Sequence, residues 1–589
     1  MTTWETNMTK RMIATLALTL AVVTAAGAAL AASTPERIVF DGNVLWNNIQ
    51  TGTTQLPYST ASGPCTTGVA PGTPITYNVT NLGTTFFTHN RTNVDPLLVD
   101  PYNLTSPRFD PQQLSILNSK YAGDAVVMNV TSLDPWFEQP NYVGAIPYRF
   151  ADPTKDWTSG WTYYNVTGAG RTDINYAKPL VILSGPQAVS RTLSASNNYL
   201  LQGKVNMLAG TTLTIPAGTY LFGEKATTGY LVIDRGAKIF VNGTKSAPVV
   251  LTSDQAPGSM AGGDNGGLVI HGRAIANCAN TAGGDSCTSE GGAGFFGGGN
   301  DADDSGVIRY MRIEYSGKEL SPNNELNSLT MNAVGTGTTI EYVEAFFGSD
   351  DAFEWFGGTA RCSHLVGIGA DDDGLDWQLG YRGRVQYAVI QQHPLRGDKG
   401  IEADNSEFNF AAPNRSNPVM TNLTLIGTNP PNIGAVTPNR GIHLRRGTAG
   451  TILNSVIVGF RGPGLDLSDP ETFANCPGVA PAVANQPAVT AVETDQTPIS
   501  HKLYLAISPN PVIRDTKIVF GLPSDGRNVR AQIFDAQGRL VKTLAQGPMS
   551  KGPHTLTWAP SNSLPKGQYF FRVQSDDGHA TSGKLVLVR

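Results

Sequence analysis

Between residues 190 and 470 short apolar runs alternate with Gly-punctuated breaks, and two patterns recur in turn. The first is an apolar run closing near a glycine: IRYMRIEYSG at 308, IEYVEAFFGS at 340, SHLVGIGADD at 363, VQYAVIQQ at 385, MTNLTLIGT at 420 and ILNSVIVGF at 452. The second is a tetrapeptide: AFEW at 352, GLDW at 374, GIEA at 400, GIHL at 441 and GLDL at 464. The tetrapeptide returns at intervals of 22 to 26 residues with one longer excursion, and the apolar run at intervals of 22 to 35. Strands this short cannot bury a face alone, so the fixed period predicts rungs of a parallel β-helix stacked on one another. A sandwich would place turns every roughly 8–12 residues without matched tetrapeptides, and a propeller blade needs about 40 residues or more.

Alternation along a strand then assigns directions. Phe353 and Trp355, Leu375 and Trp377, Ile401 and Ala403, Ile442 and Leu444, Leu465 and Leu467 are expected to point inward as core. Glu354, Asp376, Glu402, His443 and Asp466 are expected to point outward, forming a column with neighbours one strand spacing, ~4.8 Å, apart. Four positions ahead of that column stand Asp350, Asp372, Asp398 and Asn439, and three ahead stand Asp351, Asp373, Lys399 and Arg440. Two consecutive rungs thus place Asp350, Asp351, Glu354, Asp372, Asp373 and Asp376 on one surface. The next adds Asp398, Glu402 and Asp404 beside Lys399, with Arg382 and His443 near.

Three outcomes follow for such a cluster. A solvated acidic face with local Arg and Lys pairing costs little. A Ca2+ site would use the six stacked carboxylates, since Ca2+ takes roughly six to eight hard oxygen ligands; the loop GGGNDADDSG at 297–306 is a weaker oxygen-rich candidate. Catalysis is the third. Carboxylates one rung apart approach the ~5 Å separation of retaining glycosidases, and a lyase would take Arg382, Lys399 or Arg440 as base. No specific hydrolase constellation accompanies them, so the catalytic residues are left unassigned.

Composition places this solenoid in a larger chain. With 589 residues, 65 Gly, 38 Pro and only 15% charged residues, the protein reads as all-β with more than one domain. Lys10 and Arg11 precede an apolar run to Leu30 that closes on Ala29-Leu30-Ala31. Residues 1–31 therefore read as a secretory signal peptide, with Met8 as a possible start, in preference to a membrane anchor. Residues 32–188 form a lead-in with strand-like pieces such as DAVVMNV and WTYYNV, 189–470 the β-helix, 471–500 a Pro/Ala-rich linker and 501–589 a small β-sandwich. Of Cys65, Cys278, Cys287, Cys362 and Cys476, the pair Cys278/Cys287 brackets a Gly-rich loop as a disulfide candidate. Zinc is the alternative there, but His271 is the single nearby histidine and no CxxC is present. A net charge of −5 without a basic block argues against a nucleic-acid partner.

Residues 190–470, through LTIPAGTYLFGEKA, DRGAKIFVNGTKSAPVVLTSDQAPG, NGGLVIHGRA, GTTIEYVEAFFGSDDAFEWFGG and DDDGLDWQLGYRGRVQYAVI, resemble secreted right-handed parallel β-helix proteins of Gram-negative bacteria. The segment NYVGAIPYRFADPTKDWTSGWTYYN resembles the lead-in of the same group. This resemblance implies a fold and no particular reaction. The tail (ISPNPVIRDTKIVFGLP, AQIFDAQGRLVKTL, LPKGQYFFRV, GKLVLVR) resembles the sorting domains of type IX secretion cargo and the Ig-like domain of flagellar hook-capping proteins. The shared elements are the Pro-Asn-Pro start, the D-x-x-G-R turn (Asp535, Gly538, Arg539), the G-x-Y strand (Gly567, Tyr569) and the terminal strand. Together these imply a secreted or outer-membrane-surface protein with a structural, adhesive or glycan-binding role, Ca2+ as its one suggested ion, and the secretion machinery and extracellular polysaccharide or cell-surface glycans as partners. The alternative is a polysaccharide lyase or glycoside hydrolase using the acidic patch.

Overall fold

The computed structural model describes residues 127–149, 152–164, 171–278, 287–321, 324–393, 395–407, 409–428, 439–473 and 475, shorter pieces between 38 and 117, and most of 504–587. Residues 1–31, expected as a signal peptide, Cys65, Cys476 and 476–500 lie outside the described residues.

Parallel pairing at one-rung intervals builds a three-faced coil. The second face stacks Tyr230–Ile233, Leu268–His271, Leu329–Asn332, Phe353–Phe356, Leu375–Gln378, Lys399–Ala403, Arg440–Leu444 and Leu465–Leu467 in parallel register. The other two faces share long strands: Gly306–Glu314, Thr339–Phe346, Arg361–Ile368, Arg384–Gln391 and Val419–Ile426. Each bends at one residue with positive φ: Tyr310, Tyr342, His364, Tyr387 and Asn422, at 49°, 57°, 58°, 62° and 57°. A left-handed backbone is unfavourable for bulky side chains. Here the cost is offset by stacking, with centroids 4.4 Å apart for Tyr310–Tyr342, 4.3 Å for Tyr342–His364 and 4.9 Å for His364–Tyr387.

The inward positions form one continuous apolar core in which Phe353, Trp355, Leu375, Trp377, Ile401, Ile442 and Leu465 are all buried. The recurrent glycine that opens the tetrapeptide has a packing reason. A Cβ on Gly374 would lie 2.2 Å from Ile390 Cγ2, and one on Gly441 would lie 2.4 Å from the Gly464 carbonyl oxygen.

The described part of the lead-in carries strands, but not in the two pieces expected to form them. Ile38–Asp41, Val44–Trp46 and Tyr58–Thr60 pair with Gly450–Leu453, Val456–Val458 and Leu465–Leu467, so the first strands among the described residues close the far end of the coil. Described residues of the lead-in, among them Phe109, Val143, Ile146 and Trp161, then cluster with the outward Phe346, Val366, Val389 and Ile426 of the long strands, and Leu180–Gln187 begins the coil at the opposite end. Val127–Val130 and Trp161–Tyr164, inside the two pieces expected as strands, form none. Their backbone groups are instead bonded to the coil: the Met128 N–H donates to Asn454 Oδ1 (2.7 Å) and the Tyr163 N–H to Glu344 (2.9 and 3.0 Å).

A second compact unit, Asn485–Arg589, is a β-sandwich. A three-stranded sheet (Tyr504–Ser508, Thr516–Leu522, Gly552–Trp558) and a four-stranded one (Gly526–Asp535, Leu540–Met549, Gly567–Gln574, Ala580–Leu587) enclose Ile518, Phe520, Ile533, Trp558, Tyr569 and Phe571.

Candidate cation site

On the second face the outward column runs Thr330, Glu354, Asp376, Glu402, His443, Asp466 in register. Beside it runs a hydrogen-bonded ladder. Asn327 Oδ1 accepts the Asp351 N–H (3.2 Å), Asp351 Oδ1 the Asp373 N–H (2.8 Å), and Asp373 Oδ1 the Lys399 N–H (2.6 Å). One carboxylate oxygen of Asp351 and of Asp373 is thus committed to holding the next rung.

The remaining oxygens converge in four triads, each with ligand atoms within 4.8 Å of one another: Asp350–Asp351–Asp372, Asp351–Glu354–Asp376, Asp372–Asp373–Asp398 and Asp373–Asp376–Glu402. The last two are the first two translated by one rung. In the translated tier the position after Asp351 and Asp373 in the ladder is Lys399. Its Nζ lies 3.6 Å from Asp373 Oδ2 and contacts Asp398 and Glu402 directly. Arg445 adds a bond to Glu402 and one of 2.8 Å to Asp404, which Arg446 also bonds at 2.8 Å. The other tier has the same carboxylate geometry and no such partner. Among the described residues no Lys or Arg forms an ion pair with Asp350, Asp351, Glu354, Asp372 or Asp376.

Burial makes that asymmetry costly, because an unpaired carboxylate in a low-dielectric site favours its protonated form. Asp350 is 8% exposed and Asp376 9% exposed, and each has a carboxylate oxygen, Oδ2 and Oδ1 respectively, without a hydrogen-bond partner. Burial, then Asp372, pushes Asp350 up to about 8. Burial, then Asp404, pushes Asp376 to the same value. Asp351 and Glu354 are driven well above the carboxylate range by burial, with Asp373 the next contributor for the first and Glu290 for the second. Asp372 alone in this tier is exposed to solvent. Burial opposes the charge on Lys399, yet Asp373 and Asp398 outweigh it and raise its pKa.

A solvated acidic face is therefore excluded: the column and most of the ladder are buried. The three candidate bases are all engaged. Arg382 turns onto Asp301 (3.0 and 3.1 Å), Arg440 pairs with Asp466 (2.7 Å), and Lys399 is held by three carboxylates. His443 faces Ser468 at 2.8 Å, and burial, followed by Arg440, lowers its pKa to about 3. The 297–306 loop has partners for each of its carboxylates: Asp301 holds Arg382 and accepts the Ile275 N–H, Asp303 accepts from Ser305, and Asp304 accepts the Gly306 N–H and pairs with Lys238. Cys278 and Cys287 are joined by a disulfide, Cα–Cα 5.9 Å, and Cys362 is a buried free thiol.

The repeat register could not reach Glu290 and Glu325, because both lie on insertions that interrupt it. Arg445 and Arg446 had a signal, the basic pair directly after GIHL, that the column argument stopped short of.

A three-faced coil of parallel strands paired rung on rung is a parallel β-helix. The chain belongs to the family of the pectate-lyase-like beta helix domain, whose model matches residues 185–507, more than half of its length. Residues 512–579 match the FlgD Ig-like domain. No curated protein matches the chain. The first match runs to the opening strand of the sandwich, since Tyr504–Ser508 pairs antiparallel with Thr516–Leu522.

Proposed function

We propose that the protein is exported to the cell surface or beyond. There it holds one Ca2+ in the tier bounded by Asp350, Asp351, Glu354, Asp372 and Asp376, and serves a structural, adhesive or glycan-binding role on the polysaccharide-related solenoid its family defines. One observation carries the cation: two translationally equivalent carboxylate tiers, of which one is neutralised by Lys399 and the other, where Glu354 accepts only from the amides of Asn327 and Gln378, is paired with no Lys or Arg among the described residues. Hard carboxylate oxygens at this density suit Ca2+. Asp373, committed to Lys399 and to the ladder, borders the tier rather than filling it.

The C-terminal sandwich supports the export reading through a well-built motif. Asp535 accepts the Arg539 N–H (2.9 Å) and its Nε–H (2.7 Å), closing the hairpin turn, and the buried Tyr569 donates its hydroxyl to the Pro565 carbonyl (2.7 Å). We assign it the role of engaging a secretion machinery of the type IX kind.

The test is thermal melting with Ca2+ or EDTA, since a ligand bound only to the native state raises the melting temperature. Millimolar Ca2+ is expected to raise it, and Asp350→Asn with Asp376→Asn to remove the shift without unfolding the chain. No shift for the unmodified protein would sink the cation reading.

A further inference from the structure

Along the second face the position three ahead of the outward column changes chemistry once. It is an acid on two consecutive rungs, Asp351 and Asp373, and a base on the next two, Lys399 and Arg440, which pair with each other in register. Arg440 bonds Asp466 at 2.7 Å, so it serves the rung beyond. Lys399 is the first base in this series, and it stands where the carboxylates are densest.

Its setting is that of a bound ion. Lys399 is 5% exposed, and a buried ammonium is costly unless it is paired and hydrogen-bonded. Three N–H donors on Nζ meet three acids: Nζ contacts Asp398 and Glu402 and lies 3.6 Å from Asp373 Oδ2. These acids belong to the triads Asp372–Asp373–Asp398 and Asp373–Asp376–Glu402, whose ligand atoms lie within 4.8 Å of one another. Asp376 belongs to a triad in both tiers, is 9% exposed, and keeps Oδ1 without a hydrogen-bond partner even with the ammonium in place. The backbone of Lys399 is held independently of its side chain. Its N–H donates to Asp373 Oδ1 (2.6 Å), and its carbonyl accepts the Gly374 N–H (3.0 Å). Exchanging the side chain leaves those two bonds intact.

We propose that Lys399 Nζ is a tethered cation occupying the second of two equivalent divalent-cation positions, so that the chain takes one ion where its carboxylates alone would take two. Lys399 thereby sets the stoichiometry of the stack, and it makes the rungs from 399 onward independent of a free ion. The latent position is bounded by Asp372, Asp373, Asp376, Asp398 and Glu402, hard oxygen donors of the kind Ca2+ takes. It shares Asp372 and Asp376 with the open tier, so an ion there should bind more weakly than the first. The choice of Ca2+ rests on the reading given above, and the two tiers are counted separately in the test.

The experiment is Ca2+ titration calorimetry on the full chain, with melting curves in Ca2+ and in EDTA, for the unmodified protein, Lys399→Met and, as control, Arg396→Met. Methionine keeps an unbranched, adaptable side chain without the charge. Arg396 pairs with Asp371, which lies outside the four triads. The unmodified protein and Arg396→Met are expected to bind one Ca2+ per chain and Lys399→Met two. Lys399→Met should melt lower than the unmodified protein in EDTA, because buried acids lose their base, and should gain more on adding Ca2+. If the unmodified protein and Lys399→Met both bind one ion, the inference fails and the cation reading stands. If the unmodified protein binds none and Lys399→Met binds one, the open-tier reading fails and the tethered cation stands. No binding by either sinks both. Two ions in the unmodified protein, or a second ion gained equally by Arg396→Met, would mean that the place of Nζ excludes nothing. Should Lys399→Met be unfolded in EDTA, refolding in millimolar Ca2+ upholds the latent position and failure to refold overturns it.

Discussion

At the scale of single residues, the aspartate run 371–373 has more than one explanation. Asp351 and Asp373 repeat what Asn327 does one rung earlier, accepting the next rung's N–H through Oδ1. An amide suffices for that bond, so the charge on Asp351, which pairs with no base, is surplus to the fold, whereas that on Asp373 also faces Lys399 at 3.6 Å. Asp351→Asn is expected to leave stability in EDTA unchanged or higher, because it keeps the acceptor and removes one charge from a buried cluster. Asp351→Ala strands the Asp373 N–H and should cost about 1–3 kcal/mol. Urea denaturation of both variants checks this, and equal stabilities would remove the ladder from the account. The inward Trp355 and Trp377 were legible because alternation and the repeat fix them. The ladder was not, because it depends on which backbone N–H each carboxylate meets, and side-chain spacing carries no such information.

At the scale of elements, the repeated strands were legible and the covering segments were not. Strand period survives in sequence because every rung obeys the same core. The pairing of Ile38–Asp41 with Gly450–Leu453 has no period to betray it. The returning segment is fixed by individual polar contacts. Arg171 bonds the fully buried Glu314 and, at 2.8 and 3.0 Å, Asp173; Arg312 reaches Asp173 at 2.6 Å and Glu314 at 2.9 Å. Removing one member of a buried ion pair leaves its partner undercompensated. Arg171→Ala is expected to cost about 3 kcal/mol and to open cleavage sites within 127–178 in limited proteolysis. Arg309→Ala, which breaks an exposed pair with Glu341 at 2.9 Å, should cost no more than about 1 kcal/mol. A cost for Arg171→Ala no larger than that of the control would mean the segment is held by its apolar contacts alone.

At the scale of the whole molecule, the carboxylate stack reverses the usual dependence of stability on pH. Ordinary carboxyl groups titrate near about 4, whereas Glu290, Asp350 and Asp376 are held at about 8 in the folded chain. Between those values the native state binds more protons than the unfolded state, so stability falls as pH rises. The groups facing them include Glu325, Glu407, Asp372 and Asp404 on the acidic side and Lys399 and Arg445 on the basic side. In EDTA the melting temperature should therefore decline from pH 5.5 to 8.5 rather than plateau. A cation must displace those protons to bind, so the Ca2+-induced rise should be small at pH 5.5 and largest at pH 8.5, cancelling the decline. Melting curves at the two pH values, with Ca2+ and with EDTA, separate the possibilities. A melting temperature in EDTA that climbs over this range would mean that the stack is ionised and already compensated in the native chain. The tier beside Asp350 would then need no ion at all.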